Sequence, residues 1–504
     1  GDLNYADQTD VELWLDRSTA SPSAVIDEAF WDEDQDYLPP LFRNDPSNGI
    51  NGKPVISFED GGMLSIGTWP GGVISADLNS NVSANTTYEQ SIFVVFRTSN
   101  DVTSRQIIWE EGGSARGFNI QIINGFAQIG AYDDIGNDDD LGSSSVPKFG
   151  FTYKRLGVQP NTTYVISLVY EVRTDNGLLT NANIASRPET GLTGTLNGLP
   201  FPSTMTTGCC ELDGVGGIAT HPDPIGIGGL NRTSYNENGP IGSISTGTSL
   251  FTGRIAEICY YAFAVSPCQR IIIENYLAAK YFADFIGGND RYDYQTSFGD
   301  DVIGIGKQSD TDLHNVSQGD NLFEISVDMD QFFQANSPAY LMVGHNNNPL
   351  SWTDNNVPDT LSFQRLRRIW RFDRQGASSP EKTVHIEINE TDLPSLPTGF
   401  TKYGLIVDNS NGALPNFSND DLQIIGLTEF GGSGIYECDV DVEKGSYLAV
   451  VAIKPTVNFS ISSKSVIEGD IGDPINQEEF TLELNYTPAL SESFTATIDI
   501  TDGT

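Results

Sequence analysis

Cysteine is scarce in this chain, with five in 504 residues, and so are methionine and histidine at four each. The histidine shortage narrows the chemistry. His221, His314, His345 and His385 form no pair at metal-ligand spacing. No Gly-x-Ser-x-Gly elbow accompanies any of them, so neither a zinc site nor a serine triad is expected. Basic residues are few as well: 27 Lys and Arg face 68 Asp and Glu, a formal charge of 27 − 68 = −41. A surface of that sign repels phosphate backbones, which argues against nucleic acid as a partner, and it resists an anionic membrane. No stretch reaches the roughly 20 apolar residues of a membrane span. Gly-rich phosphate cradles opening a helix are also missing. The chain opens Gly-Asp-Leu-Asn without an initiator Met, as a processed terminus would.

What is present reads as β-structure. The length exceeds one hydrophobic core, so two to four domains are expected. Residues 91–97 (SIFVVFR), 117–123 (GFNIQII), 126–132 (FAQIGAY) and 164–171 (YVISLVYE) are rich in β-branched and aromatic side chains. Asn124-Gly125 joins two of these runs, and Asn197-Gly198 repeats the device. Both predict tight hairpins, because the turn positions need positive φ. One helix stands out. Ser266-Pro267-Cys268-Gln269 has capping-box spacing with Pro at the first helical position, and Gly287-Gly288 follows as a stop. Ile272, Tyr276, Ala279 and Ala283 share a stripe, with Glu274 and Lys280 expected outside it. The helix is expected to close the first sandwich. A second β region follows over 289–454, including VIGIG (302–306), YLMVGH (340–345) and SYLAVVAI (446–453). Residues 455–504 supply three or four strands where a sandwich needs about seven, so a domain cut near its middle is expected there.

Candidate functional residues fall into several groups. Cys209, Cys210, Cys259 and Cys268 can form two bridges in any of three connectivities, or Cys209–Cys210 can close a vicinal ring; free buried thiols are the alternative. The dense acids Asp133, Asp134, Asp138 and Asp140, with Gly136 allowing a sharp turn, suit Ca²⁺, a hard cation that takes oxygen ligands. A second acidic cluster spans 31–36. Tyr132, Tyr235 and Trp352 combine a loop aromatic with neighbouring amides and carboxylates, the chemistry of glycan binding; Trp14, Trp109 and Trp370 lie in strands and are assigned to the core. For a rival hydrolase reading, Glu437, Asp439, Asp441 and Glu443 alternate with Cys438, Val440 and Val442 on one strand. Retaining hydrolysis needs two carboxyls about 5 Å apart. Four like charges together are poorly suited to a tuned pair, and a half-solvated strand has the same pattern.

The segments VELWLD (11–16), GKPVISF (52–58), FVVFRT (93–98) and FTGRIAEICYYAFAVSPCQRIIIENYLAAKY (251–281) resemble the laminin-G-like, concanavalin-type jelly rolls of secreted Bacteroidetes proteins. DDVIGIGKQSD (300–310), YLMVGHNN (340–347) and RLRRIWRFDRQG (365–376) resemble the β module that commonly follows. VNFSI, Glu468-Gly469-Asp470 and IDITDGT look like the opening half of a Calx-β repeat. The resemblance implies an all-β chain with a jelly roll over 1–288, a second β module over 289–454 and a truncated Calx-β-like repeat over 455–504. It also implies the head of a very large cell-surface adhesin, of the kind exported by type IX secretion and used in gliding motility. Such a head would bind extracellular glycans, solid surfaces or accessory cell-surface proteins. A structural cap or docking module and a polysaccharide-degrading jelly-roll hydrolase are the two alternatives, since one fold hosts many functions.

Overall fold

The computed structural model describes residues 7–14, 29–30, 38–66, 89–112, 116–133, 150–171, 192–202, 206–207, 225–230, 234–236, 239–241, 249–281, 285, 289–319, 322–328, 337–376, 382–418, 422–455, 457–460, 481–485 and 487. The chain is all-β, with antiparallel sheets throughout and one long helix among the described residues. It divides into two compact units. Residues 1–266 with 281–290 form the first, and 267–280 with 291–504 form the second.

The first unit is a jelly-roll sandwich. Sheet A runs through Leu41–Arg43, Val55–Ser57, Arg254–Tyr261, Gln90–Arg97 and Thr163–Tyr170. Sheet B runs through Gly150–Gly157, Phe126–Asp133, Arg116–Ile123, Gln106–Gly112, Ile225–Ile227 and Leu64–Ile66. Alternate residues from both sheets meet in one core: Ile92, Val94, Phe96, Ile166 and Leu168 from A, and Phe118, Ile120, Ile122, Ala127 and Ile129 from B. Trp109 is fully buried there and Trp14 packs at its margin, as their strand positions predict. Asn124-Gly125 turns at φ 53° and 81°, and Asn197-Gly198 at 48° and 73°. Both hairpin predictions hold, because each position adopts the left-handed backbone that Asn and Gly tolerate.

The second unit has a sheet covered on both faces. Sheet C contains Asp300–Ser309, Ala339–His345, Trp370–Gly376, Tyr447–Ile453 and Lys402–Asp408. Its strands alternate between two cores. Leu341, Val343, Leu448 and Val450 enter one, while Tyr340, Met342, Tyr447, Ala449 and Val451 enter the other. Burial on both faces explains why these runs are continuously apolar. The five-stranded sheet D, which includes Phe323–Ser326, Lys382–Asn389 and Ile435–Val442, covers the first face.

Helix α1 (Pro267–Tyr281) covers the second face, and here the sequence expectation is corrected. It starts at Pro267 as predicted, but Cys268, Ile271, Ile272 and Ala279 pack with Tyr292, Phe298, Tyr340 and Met342 of the second unit, and only its last residue, Tyr281, belongs to the first, where its hydroxyl donates to Glu257 Oε2 at 2.8 Å. The glycines of VIGIG make the seat. A Cβ on Gly304 would stand 3.4 Å from Ile272, and one on Gly306 3.2 Å from Cys268 Sγ, besides colliding with Met342 and Tyr340. The Cys268 N–H, an orphan donor of the first turn, donates to Asp312 Oδ2 at 3.0 Å. Glu274 is not on an outer face: its side chain is fully buried, with Oε1 3.7 Å from Arg270 Nε. The expected stop at Gly287-Gly288 lies outside the described residues.

Of residues 455–504, the structure describes a two-stranded ribbon, Val457–Ser460 with Thr481–Leu484, and Thr487, which pairs in parallel with Ile425.

Candidate functional site

Among the described residues, the first unit carries a polar pocket of about 190 Å³ lined by Ser47, Glu59, Arg97, Thr98, Asn161 and Arg254. Strand order builds it. Gln90–Arg97 and Arg254–Tyr261 are neighbours in sheet A, and their register sets Arg254 directly opposite Arg97. Directly opposed residues in an antiparallel pair share a face, so both arginines leave the same side of the sheet and line the pocket. Gly253, just before Arg254, lets the strands approach, since a Cβ there would run into the Arg97 carbonyl.

Arg254 is satisfied by the protein. Its Nε donates to Glu59 Oε1 at 2.9 Å, and its Nη1 donates to the Asn48 carbonyl. Arg97 makes no hydrogen bond or ion pair with its side chain among the described residues.

Turns complete the walls. Asp45 Oδ1 accepts the Ser47 N–H at 2.8 Å and its hydroxyl at 2.6 Å, fixing Ser47 at the rim. These bonds hold the Asp45 carboxyl below its ordinary range. Asn161 occupies φ 52°, and its Nδ2 donates to Asn100 Oδ1 at 2.6 Å. Thr98 Oγ1 accepts the Thr162 N–H at 2.9 Å and donates to the Gln159 carbonyl at 2.7 Å, tying the Asn161 turn to the end of the Arg97 strand.

A second polar feature lies on the face of sheet B turned away from the core. Glu110 pairs opposite Asn119, and Gln121 opposite Gln128. All four are fully buried, and Gln121 Nε2 donates to Asn119 Oδ1 at 3.3 Å. Gln128 Oε1 and Nε2 find no partner among the described residues. In sequence the row shows as Asn119 and Gln121 two apart inside GFNIQII, with the single Gln128 inside FAQIGAY.

The acidic strand of the hydrolase reading lies in sheet D. Cys438, Val440 and Val442 face the core as expected, and Glu437, Asp439 and Asp441 face outward. Glu324, Glu387 and Glu437 stand in register on three neighbouring strands. His385 sits among them, with Nδ1 2.8 Å from Asp439 Oδ1 and Nε2 3.6 Å from both Glu387 Oε1 and Glu437 Oε2. One ligand atom each from His385, Glu387 and Glu437 lies within 4.8 Å of the others. Desolvation and the Glu387 charge push the Glu324 carboxyl up, with His385 opposing.

The other sequence candidates are placed as follows. Trp352 is a packing residue: its ring stacks on Tyr403 at 6.3 Å between centroids and its Nε1 donates to the Ser395 carbonyl at 2.9 Å. It joins the core because the loop that carries it folds back as strand Trp352–Thr353. Tyr132 and Asp133 end strand Phe126–Asp133, and Tyr235 pairs with Pro240 in a separate ribbon; only their backbones are described. Asp134, Asp138 and Asp140, the 31–36 cluster, and Cys209 and Cys210 lie outside the described residues. Cys259 Sγ is 3.9 Å from Glu257 Oε1. Of the two states left open for Cys268, a bridge or a free buried thiol, the structure shows a free buried thiol in the seat of α1.

The model of a domain of unknown function, DUF8202, matches residues 269–445, a stretch that begins inside α1. Its start agrees with the helix belonging to the second unit. No curated protein matches the chain. Solved structures with some likeness include the CBM40 of Ruminococcus gnavus IT-sialidase bound to α2,6-sialyllactose, at 12% identity over 38% of this chain and 88% of that one, with a TM-score of 0.23. A botulinum neurotoxin type C structure, described as dependent on two ganglioside molecules for cell entry, is 10% identical over 89% and 93% of the two chains, with a TM-score of 0.28. The SAP-like pentraxin of Limulus polyphemus is 11% identical over 38% and 73%, with a TM-score of 0.20. Scores this low carry no argument about function.

Proposed function

We propose that this chain is a non-catalytic binding region of a secreted bacterial cell-surface adhesin, and that its jelly-roll unit holds glycans in the Arg97–Arg254 pocket. The observation that carries the reading is the pocket itself. Among the described residues every lining side chain is polar or charged, and the Arg97 side chain makes no hydrogen bond or ion pair. Its volume, about 190 Å³, is below the roughly 300–1,000 Å³ of drug-sized sites, so it takes one sugar residue of a longer chain. The sequence resemblance supports the extracellular setting. Gliding motility, type IX export and accessory surface proteins as partners belong to the same reading and rest on that resemblance alone.

A glycan array probed with the full chain and with Asn161→Gly tests the site. Glycine keeps the positive φ of Asn161 while removing its amide. The account expects array binding that weakens about tenfold in the variant; binding unaffected by the change would remove the pocket from the proposal.

Calcium at the Asp133–Asp140 loop is also proposed, on the density of acids in the sequence. It should raise Tm in CaCl₂ for the wild type and not for an Asp138→Asn, Asp140→Asn double variant; equal melting with and without the ion would end the claim.

A further inference from the structure

The pocket's charge arrangement goes further than its polarity. Arg97 and Arg254 face each other across one antiparallel pair. Like charges directly opposite on a sheet are destabilising, and Glu59 offsets only one of them. Two arginines against one glutamate leave the wall with a single net positive charge in a chain whose formal charge is −41. Bulk acidity does not call for an unpaired cation here. An anion that completes the set would remove the repulsion.

We infer that this pocket selects a monoanionic sugar, such as a uronic acid or a sulfate-ester residue of an acidic polysaccharide, with Arg97 as the anion's partner. The inference rests on the glycan-binding reading above and names the ligand class of the same site. A guanidinium presents a planar fork that pairs with a carboxylate or sulfate oxygen pair, and a charge-assisted bond of this kind is about twice as strong as a neutral one. Glu59, in the same wall, sets the limit on charge: a dianion would meet its carboxylate. Arg254 is held by Glu59 and the Asn48 carbonyl, and Thr98 by the Asn161 turn, while Ser47 Oγ and Asn161 Oδ1 are left to accept from the sugar's own hydroxyls.

The test is isothermal titration of the full chain with three oligosaccharides of equal length: an oligogalacturonate, a sulfated galactan fragment and a neutral β-glucan. At least one acidic probe should bind, more weakly as salt rises. The neutral probe should bind at least about tenfold more weakly. The carboxylate and sulfate arms distinguish the two sources of the anion. Arg97→Gln should weaken acidic binding by about tenfold or more while leaving Tm unchanged or slightly raised, because it removes a like-charge neighbour. Arg97→Lys should retain an intermediate affinity. Binding of the neutral glucan as tight as the acidic probes, with Arg97→Gln harmless, would overturn the monoanion assignment and leave glycan binding standing. Failure of all three would bring down the glycan reading too, and tighter binding of a poly-glutamate peptide than of either acidic sugar would reassign the pocket to protein ligands.

Discussion

His345 Nε2 lies 3.0 Å from Asp301 Oδ2, while Nδ1 of the same ring accepts the Asn347 N–H at 3.0 Å. With Nδ1 occupied as an acceptor, the imidazole proton is on Nε2 and points at the carboxylate. This bond holds the Asp301 carboxyl below its ordinary 3.8, against desolvation that raises it. The sign follows from the lowered value: the stabilisation is present above pH 3.8 and is lost as pH falls through the lower folded value. Asp301→Asn tolerates the φ of 45° and keeps an acceptor, so the expected loss at pH 7 is about 0.5–1 kcal/mol. Urea denaturation at pH 7 and pH 3 checks this, and the gap between variant and wild type should narrow at the lower pH.

The row Glu324, Glu387 and Glu437 predicts the opposite sign. A raised carboxyl costs stability once ionised, so protonating Glu324 adds stability as pH falls through the range just above 4.5. Glu324→Gln should stabilise sheet D at pH 7 by about 0.5 kcal/mol and remove that part of the acid gain. Thermal melts from pH 7 to pH 4 read both effects. An unchanged or lowered Tm at pH 7 would show that His385 already offsets the repulsion.

Burial pushes the Cys268 thiol up to about 12, with the Asp312 charge adding to it. Cys438 is also pushed up to about 12, by burial first and then by Asp439 and Glu437. Neither should form thiolate at pH 8, where alkylation depends on it. Iodoacetamide followed by peptide mass analysis should find both unmodified in the native protein and modified in urea.

The seat of α1 gives a packing prediction. Gly304→Ala places a methyl against Met342 and Ile272, so it should cost about 1–3 kcal/mol, as overpacking does. An alanine at Gly399, where φ is 89° but the surroundings are open, separates backbone strain from packing. Comparison of the two denaturation midpoints measures the seat itself.

Local signals in the sequence translated well. Asn-Gly pairs gave their turns, Ser266-Pro267 placed the start of the helix, and the alternation of Cys438, Val440 and Val442 gave the inner face of its strand. Partnership was what the sequence hid. The α1 stripe showed that one face is buried but not against which sheet, and the answer lay in Gly304 and Gly306, read only as strand residues. Burial of Glu274 likewise depends on tertiary surroundings. The stacking of Trp352 on Tyr403 and its bond to the Ser395 carbonyl also join positions that are distant in sequence. Arg97 and Arg254 are far apart along the chain, and only the register of sheet A brings them together.

A crystal structure of the full chain soaked with the acidic oligosaccharide that binds best would show the ligand's place outright. A sugar residue should occupy the pocket on sheet A, with its anionic group on the Arg97 guanidinium. A sugar seated elsewhere, for example along Asn119, Gln121 and Gln128 on sheet B with the arginine pocket empty, would contradict it.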